Sequence, residues 1–204
     1  MSYPASSVEP GVDFDSGTSL LLSGDSRTVR ASLLDAIAEG LDAGETVILI
    51  TADTSAKAVI QALRERNALA PDRLGIVDVT NEKGPEEVGG VPVAQLSSPN
   101  DLTGMSLEFA KHLERFQKNG RGGRVRIGLL SVSTLLMYGE LQTVFRFLHV
   151  FTSRIRSAGL FGLFALDPGM HEEKATNTIR AIFDAEASVS EDGVDLRGSG
   201  YLSA

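Results

Sequence analysis

Five short apolar runs, each followed by a longer segment of helical periodicity or a turn, govern what this chain can fold into. The runs are Thr18–Leu22 (TSLLL), Thr46–Thr51 (TVILIT), Leu74–Val79 (LGIVDV), Val125–Val132 and Leu160–Leu166 (LFGLFAL). They are apolar at odd and even positions alike, so strands built from them need cover on both faces. Residues 28–41, 55–67, 101–118, 140–157 and 172–183 supply that cover as helices; in the first, Val29, Leu33, Ala36, Ile37 and Leu41 share one face. Strands alternating with helices form repeated strand–helix–strand units and hence a parallel sheet. The tail, Ala185–Leu202, alternates polar and apolar around Asp192-Gly193 and predicts a hairpin at one sheet edge. The expected fold is a three-layer α/β/α arrangement with a mainly parallel sheet and a C-terminal β-hairpin. Residues 18–204 read as one domain. Residues 1–17, rich in Ser, Pro, Gly and acid, read as a flexible arm, and residues 81–100 as a long loop.

Composition narrows the function. The chain has 204 residues, 42% of them apolar, enough for one core. Its formal charge of −8 gives no global attraction for nucleic acid, leaving Arg121, Arg124 and Arg126 as the one basic cluster. No aromatics interleave that cluster, so a solvated strand start is its plainer reading. The absence of cysteine excludes disulfides and thiolate chemistry. No signal-like start and no uninterrupted apolar span point to a cytoplasmic protein without a membrane partner. Only five lysines beside many carboxylates and 21 glycines suit a salt-loving microbe; an ordinary acidic cytosolic protein is the alternative.

The turn after the first strand carries the sharpest signal. In a phosphate-binding loop, G-x-x-x-x-G-K-[ST], glycines let backbone amides wrap phosphate, lysine neutralises it and the hydroxyl binds Mg²⁺. Here the same place reads Gly24-Asp25-Ser26-Arg27-Thr28-Val29-Arg30-Ala31. Val29 stands for the second glycine, Arg30 for lysine and Ala31 for the hydroxyl, and Asp25 adds negative charge.

With Ser23-Gly24 ahead of a helix ending AEGLDAGETVILIT, this pattern resembles the KaiC-like branch of the RecA superfamily of P-loop ATPases. The resemblance continues through ITADTS (Ile50–Ser55), RVRIGLLSVSTLL (Arg124–Leu136) and DGVDLRGSGYL (Asp192–Leu202), in order, over residues 17 to 202. SSPNDLTGMSLEFAK (Ser97–Lys111) is similar to short relatives from salt-loving archaea. It implies a RecA-like fold with a vestigial nucleotide site at Ser23, Gly24, Asp25, Ser26, Arg27, Thr28, Val29, Arg30, Asp53 and Ser131. Against the family pattern, Gly128 falls where the Walker B aspartate is expected, Thr54 replaces a catalytic glutamate, and Asp53 is the one carboxylate left there. Mg²⁺ thereby loses its usual protein anchors.

Two function classes lead, ahead of a weaker DNA-associated recombination-type reading that the net acidity opposes. One is a non-catalytic RecA/KaiC-like pseudo-ATPase, a regulatory or signalling adaptor with no cofactor and no catalytic residues. The other is an ATP-binding protein or slow ATPase in which Arg30 grips phosphate; otherwise Arg30 pairs with Asp53 or Asp25. Asp167 at the end of the fifth strand either orients a ligand or caps a turn. His171 with Glu172 and Glu173 reads as a helix start rather than a metal site. Helix 140–157 carries Phe147, Val150 and Phe151 beside its core stripe. That second greasy face is expected to be covered by a protein partner or second copy, or by neighbouring helices.

Overall fold

The computed structural model describes residues 2–81 and 84–203. Its elements run β1 (Ser2–Pro4), β2 (Val12–Asp15), β3 (Ser19–Ser23), α1 (Ser26–Asp42), β4 (Thr46–Thr51), α2 (Ala56–Glu65), β5 (Leu74–Asp78), β6 (Glu87–Val88) and β7 (Val91–Gln95). They continue with α3 (Leu102–Lys118), β8 (Val125–Leu129), α4 (Val132–Tyr138), α5 (Leu141–Ser157), β9 (Phe161–Leu166), α6 (Glu173–Arg180), β10 (Ala185–Ser190), β11 (Gly193–Gly198) and β12 (Tyr201–Ser203).

Nine strands form the main sheet in the order β11-β10-β3-β9-β8-β4-β5-β7-β6. The seven from β10 to β7 are parallel neighbours, while β11 and β6 add antiparallel edges. Period-two burial explains the layers. Leu20, Leu22, Val47 and Leu49 face α1 and α2; Leu21, Ile48, Ile50 and Ile127 face α3, α4 and α5. Both faces are apolar, so both are covered, as the uninterrupted runs require.

Two expected loops are structured. Residues 2–15, read as a flexible arm, instead form β1 and β2, which join β12 in a small sheet. Tyr3 and Phe14 are fully buried and stack on Phe161 at 5.4 and 5.1 Å. Glu39 of α1 anchors the intervening turn by accepting from Ser6 N (3.0 Å), Ser7 N (3.1 Å) and Ser7 Oγ (2.9 Å). Polar composition concealed this because the decisive contacts come from α1 and β9, far along the chain. Within residues 81–100, Val91 and Val93 are buried in β7, and Pro92 is tolerated because only the two-residue β6 lies outside it. Residues 82 and 83 of that segment lie outside the described residues.

The basic cluster also reads differently once folded. Arg126 is fully buried in central strand β8. Its Nε and Nη2 fork onto the buried Glu45 carboxylate at 2.8 and 3.1 Å. It also donates to the Ala36 and Pro4 carbonyls. Arg121 pairs with Asp72, and Arg124 donates to the Ala43 carbonyl. The cluster read as a solvated strand start thus instead helps hold the amino end of the sheet together, and Arg126, fully buried, clamps the N-terminal strand to it.

The buried pair and the small sheet are each open to test. Glu45→Gln leaves Arg126 charged and buried, and is expected to cost about 3–5 kcal/mol. Tyr3→Ala, which removes a buried ring from the small sheet, is expected to cost a similar ~3–5 kcal/mol. Urea unfolding followed by circular dichroism measures both; midpoints unchanged from wild type contradict the clamp.

Candidate functional site

Ligands of open parallel sheets bind beyond the carboxyl ends of the strands. There β3 ends at Ser23 and α1 begins at Ser26, so Gly24-Asp25 is the whole connection. The helix starts two residues before the position expected from its apolar face, because Asp25 caps it. The Asp25 carboxylate accepts from Arg27 N and Thr28 N, both at 3.1 Å. Hydrogen bonds from the Thr28 hydroxyl and amide hold the Asp25 carboxyl below its ordinary range. Its capping contribution is therefore present above the ordinary carboxylate range and lost as pH falls through the lowered value.

A second carboxylate completes the cap from a distant strand. Asp167, directly after β9, accepts from Ser26 N at 2.8 Å and from Ser26 Oγ at 2.6 Å. It also accepts from Gly169 N at 2.9 Å, shaping the single 3₁₀ turn Pro168–Met170. Ser133 of α4 is bound on both sides of the Asp167 backbone, donating to its carbonyl at 3.3 Å and accepting from its amide at 2.9 Å. Ser26, Asp167 and Ser133 thus tie α1, β9 and α4 together.

Most of the remaining nucleotide-site candidates are engaged within the chain, although the Arg27 side chain is exposed. Val29 is buried, and its amide donates to Asp25 O at 3.0 Å, an ordinary helical bond. Arg30 pairs with Asp53 after β4, their side chains 33% and 24% exposed, and Thr54 donates to the other Asp53 oxygen at 3.2 Å. Ser23 Oγ donates to Glu186, which also accepts from Arg180 at 3.0 Å. A Cβ on Gly24 would collide with the Val189 carbonyl of β10, which explains glycine at this crossing. Ser131 caps α4, accepting from Thr134 N at 3.0 Å, and does not join the Arg30–Asp53 pair.

Gly128 does not occupy the position expected of a Walker B aspartate. It lies inside β8, where an added Cβ would meet Leu49 at 2.5 Å, Leu33 at 3.1 Å and Ile37 at 3.3 Å. It is glycine because α1 presses directly on the strand. The residue that follows β8 is Leu130, buried and bonded through its amide to Ile50 O at 3.0 Å. An apolar residue therefore stands at the strand end.

Sequence reasoning missed Asp78. This buried carboxylate at the end of β5 accepts from Ala56 N (2.7 Å), Thr80 N (2.9 Å) and Thr80 Oγ1 (2.6 Å). The signal was an acid near the end of an otherwise apolar run. His171 sits beside Asp167, and burial pulls its pKa down against the carboxylate's opposing pull. Among the described residues no group of three or more His, Asp or Glu could hold a metal ion.

The greasy second face of α5 is covered within the chain. Phe147 is 9% exposed and Phe151 1%, the latter edge-on to Phe109 of α3 at 4.9 Å; Val150 alone of the three is open, at 50%. Among the described residues no helix is long and apolar enough to cross a membrane. Beside Gly24, a cleft of about 440 Å³ runs between Pro168, Arg180 and the β10–β11 hairpin.

The fold has a solved counterpart. A KaiC-like protein, PH0186, from the hyperthermophilic archaeon Pyrococcus horikoshii OT3 superposes with a TM-score of 0.60 at 14% identity, covering 90% of this chain and 78% of its own. The likeness is one of fold: a mainly parallel sheet flanked by helices, closed by an antiparallel hairpin. No curated protein matches in sequence. One family profile matches residues 17–189, most of the chain, and by that match this protein belongs to the family of unknown function DUF7504.

Proposed function

We propose that this protein is a non-catalytic RecA/KaiC-like domain that acts as a regulatory or signalling adaptor through protein contacts. One observation carries the reading: carboxylates of the chain itself take the amides at the start of α1, where a phosphate-binding loop would receive its anion. A helix N-terminus attracts anions through free N–H groups and the helix dipole. Asp25 and Asp167 satisfy both from within, and a triphosphate would have to displace two anions before gaining a contact. The rest of the donor set agrees. Arg30 is neutralised by Asp53, Val29 adds bulk, and Leu130 replaces a metal-binding carboxylate at the end of β8. These residues do not fit Mg-ATP, so no catalytic step is derived through it. Loss of several charge-stabilising groups, each worth ~2–4 kcal/mol in a transition state, would remove many decades of rate.

The second reading, weak ATP binding or slow hydrolysis, draws on the cleft beside Gly24 and Arg180, which leaves space at the end of β3. The two readings separate cleanly. Under the adaptor reading, titration calorimetry with Mg-ATP gives no saturable heat up to millimolar nucleotide, and the pure chain releases phosphate at the buffer rate. A micromolar Kd lost in Arg30→Ala, or magnesium-dependent turnover, refutes it.

The internal cap makes its own prediction. Asp167→Ala removes acceptors from Ser26 N and Oγ and is expected to cost about 1–2 kcal/mol. In Asp25→Ala/Asp167→Ala the first-turn amides are freed. Inorganic phosphate should then raise the double variant's thermal midpoint and leave the wild type unmoved. Equal response in both proteins means that the carboxylates do not hold the site shut.

A further inference from the structure

The two edges of the main sheet differ in how they meet a second copy of themselves. At one end lies β6, two residues long and preceded by Glu86, so Glu86 and Glu87 present like charges. That edge repels its own copy. At the other end lies β11, six residues long, with no strand beyond it among the described residues. A terminal strand carries backbone donors and acceptors that seek a partner unless something blocks them.

The side chains of β11 are self-complementary. Val194 and Leu196 lie on the face that packs on the core and are only partly covered. Asp195 and Arg197 lie on the opposite face, their side chains 57% and 79% exposed, and pair with each other along the strand. If two copies of β11 pair antiparallel about a two-fold axis through Leu196, Asp195 of each copy stands directly opposite Arg197 of the other. Directly opposed residues share a face and approach closely, so opposite charges there attract. On the core face, Leu196 meets Leu196 and Val194 meets Gly198, which has no side chain to obstruct it. A charged edge protected against its copy would present like charges in this register; this one presents matched ones. The same strand already accepts antiparallel pairing on its inner side, with Ser188 opposite Asp195 and Glu186 opposite Arg197.

We infer that β11 is a homodimerisation edge, joining the main sheets of two copies through an antiparallel β11–β11 contact centred on Leu196. This goes beyond the adaptor reading and holds whether or not nucleotide binds. It places the contact on the hairpin rather than on α5, whose second face is largely covered within the chain.

The chain has no cysteine, so introduced ones report without background. Leu196→Cys should give a disulfide-linked dimer on mild oxidation, because cross-strand Cα atoms at the axis fall within disulfide reach. Val194→Cys, opposite Gly198, should not. Sedimentation equilibrium should show a concentration-dependent dimer. Asp195→Arg should weaken it at least tenfold by opposing arginines, and Asp195→Arg/Arg197→Asp should restore it. Both residues are exposed, so circular dichroism should show every charge variant folded. A wild type monomeric at all concentrations overturns the inference. So does dimerisation insensitive to Asp195→Arg, or Val194→Cys cross-linking as readily as Leu196→Cys.

Discussion

The first turn of a helix presents amide donors that must find acceptors, and in this fold they open onto the carboxyl edge of a parallel sheet. A working phosphate loop leaves them free and uses glycine to shape the approach. Here the connection from β3 to α1 is reduced to Gly24-Asp25, and the donors are divided between two acids, Arg27 N and Thr28 N to Asp25 and Ser26 N to Asp167. The consequences spread outward. Asp167 can reach Ser26 only because β9 lies beside β3, and its backbone is fixed by Ser133 of α4. Capping α1 thus also ties together elements on both faces of the sheet at its carboxyl edge.

The same logic recurs along that edge. Asp78 caps α2 from the end of β5, and Ser131 caps α4 after β8. The crossing of Gly24 under β10 and the Arg30–Asp53 pair complete an edge whose polar groups mostly answer one another. Polar residues at the ends of parallel strands are ordinarily the chemistry of such a fold. Here they act as structural caps, and Arg126 with Glu45 does comparable work at the opposite end of the sheet.

What could be read from sequence follows from the range of the interactions. The sheet and its helices were legible because both depend on local periodicity: TVILIT is apolar on both faces whatever surrounds it, and residues 28–41 show one apolar stripe. The flexible arm misled because Tyr3 and Phe14 are isolated apolar residues in polar company, and their partner Phe161 lies far along the chain. Arg126 misled for the same reason, since its partner Glu45 sits in a segment that reads as a helix end. Gly128 misled through register: spacing alone could not distinguish a residue inside β8 from the one that follows it, whereas the closeness of Leu33 and Leu49 does. Of the candidate site, the pairing of Arg30 with Asp53 was foreseeable as charge seeking charge. The reach of Asp167 to Ser26 was not, because it requires knowing that the last parallel strands insert beside the first.

Strand order also decides where the chain can meet other molecules. Because β9 and β8 insert between β3 and β4, the interior of the sheet is filled by late sequence, and its ends are left to antiparallel additions. A sheet built this way cannot hide its edges by closure, so each edge must be blunted or used. The β6 edge is blunted by brevity and by adjacent glutamates. The β11 edge is longer, alternates charge sign, and keeps Val194 and Leu196 only partly covered. With α5 largely covered and the start of α1 closed by its own carboxylates, the hairpin is where unsatisfied backbone and unfinished apolar cover coincide. The inferred contact between two copies rests on that coincidence, an open strand beside half-covered apolar side chains.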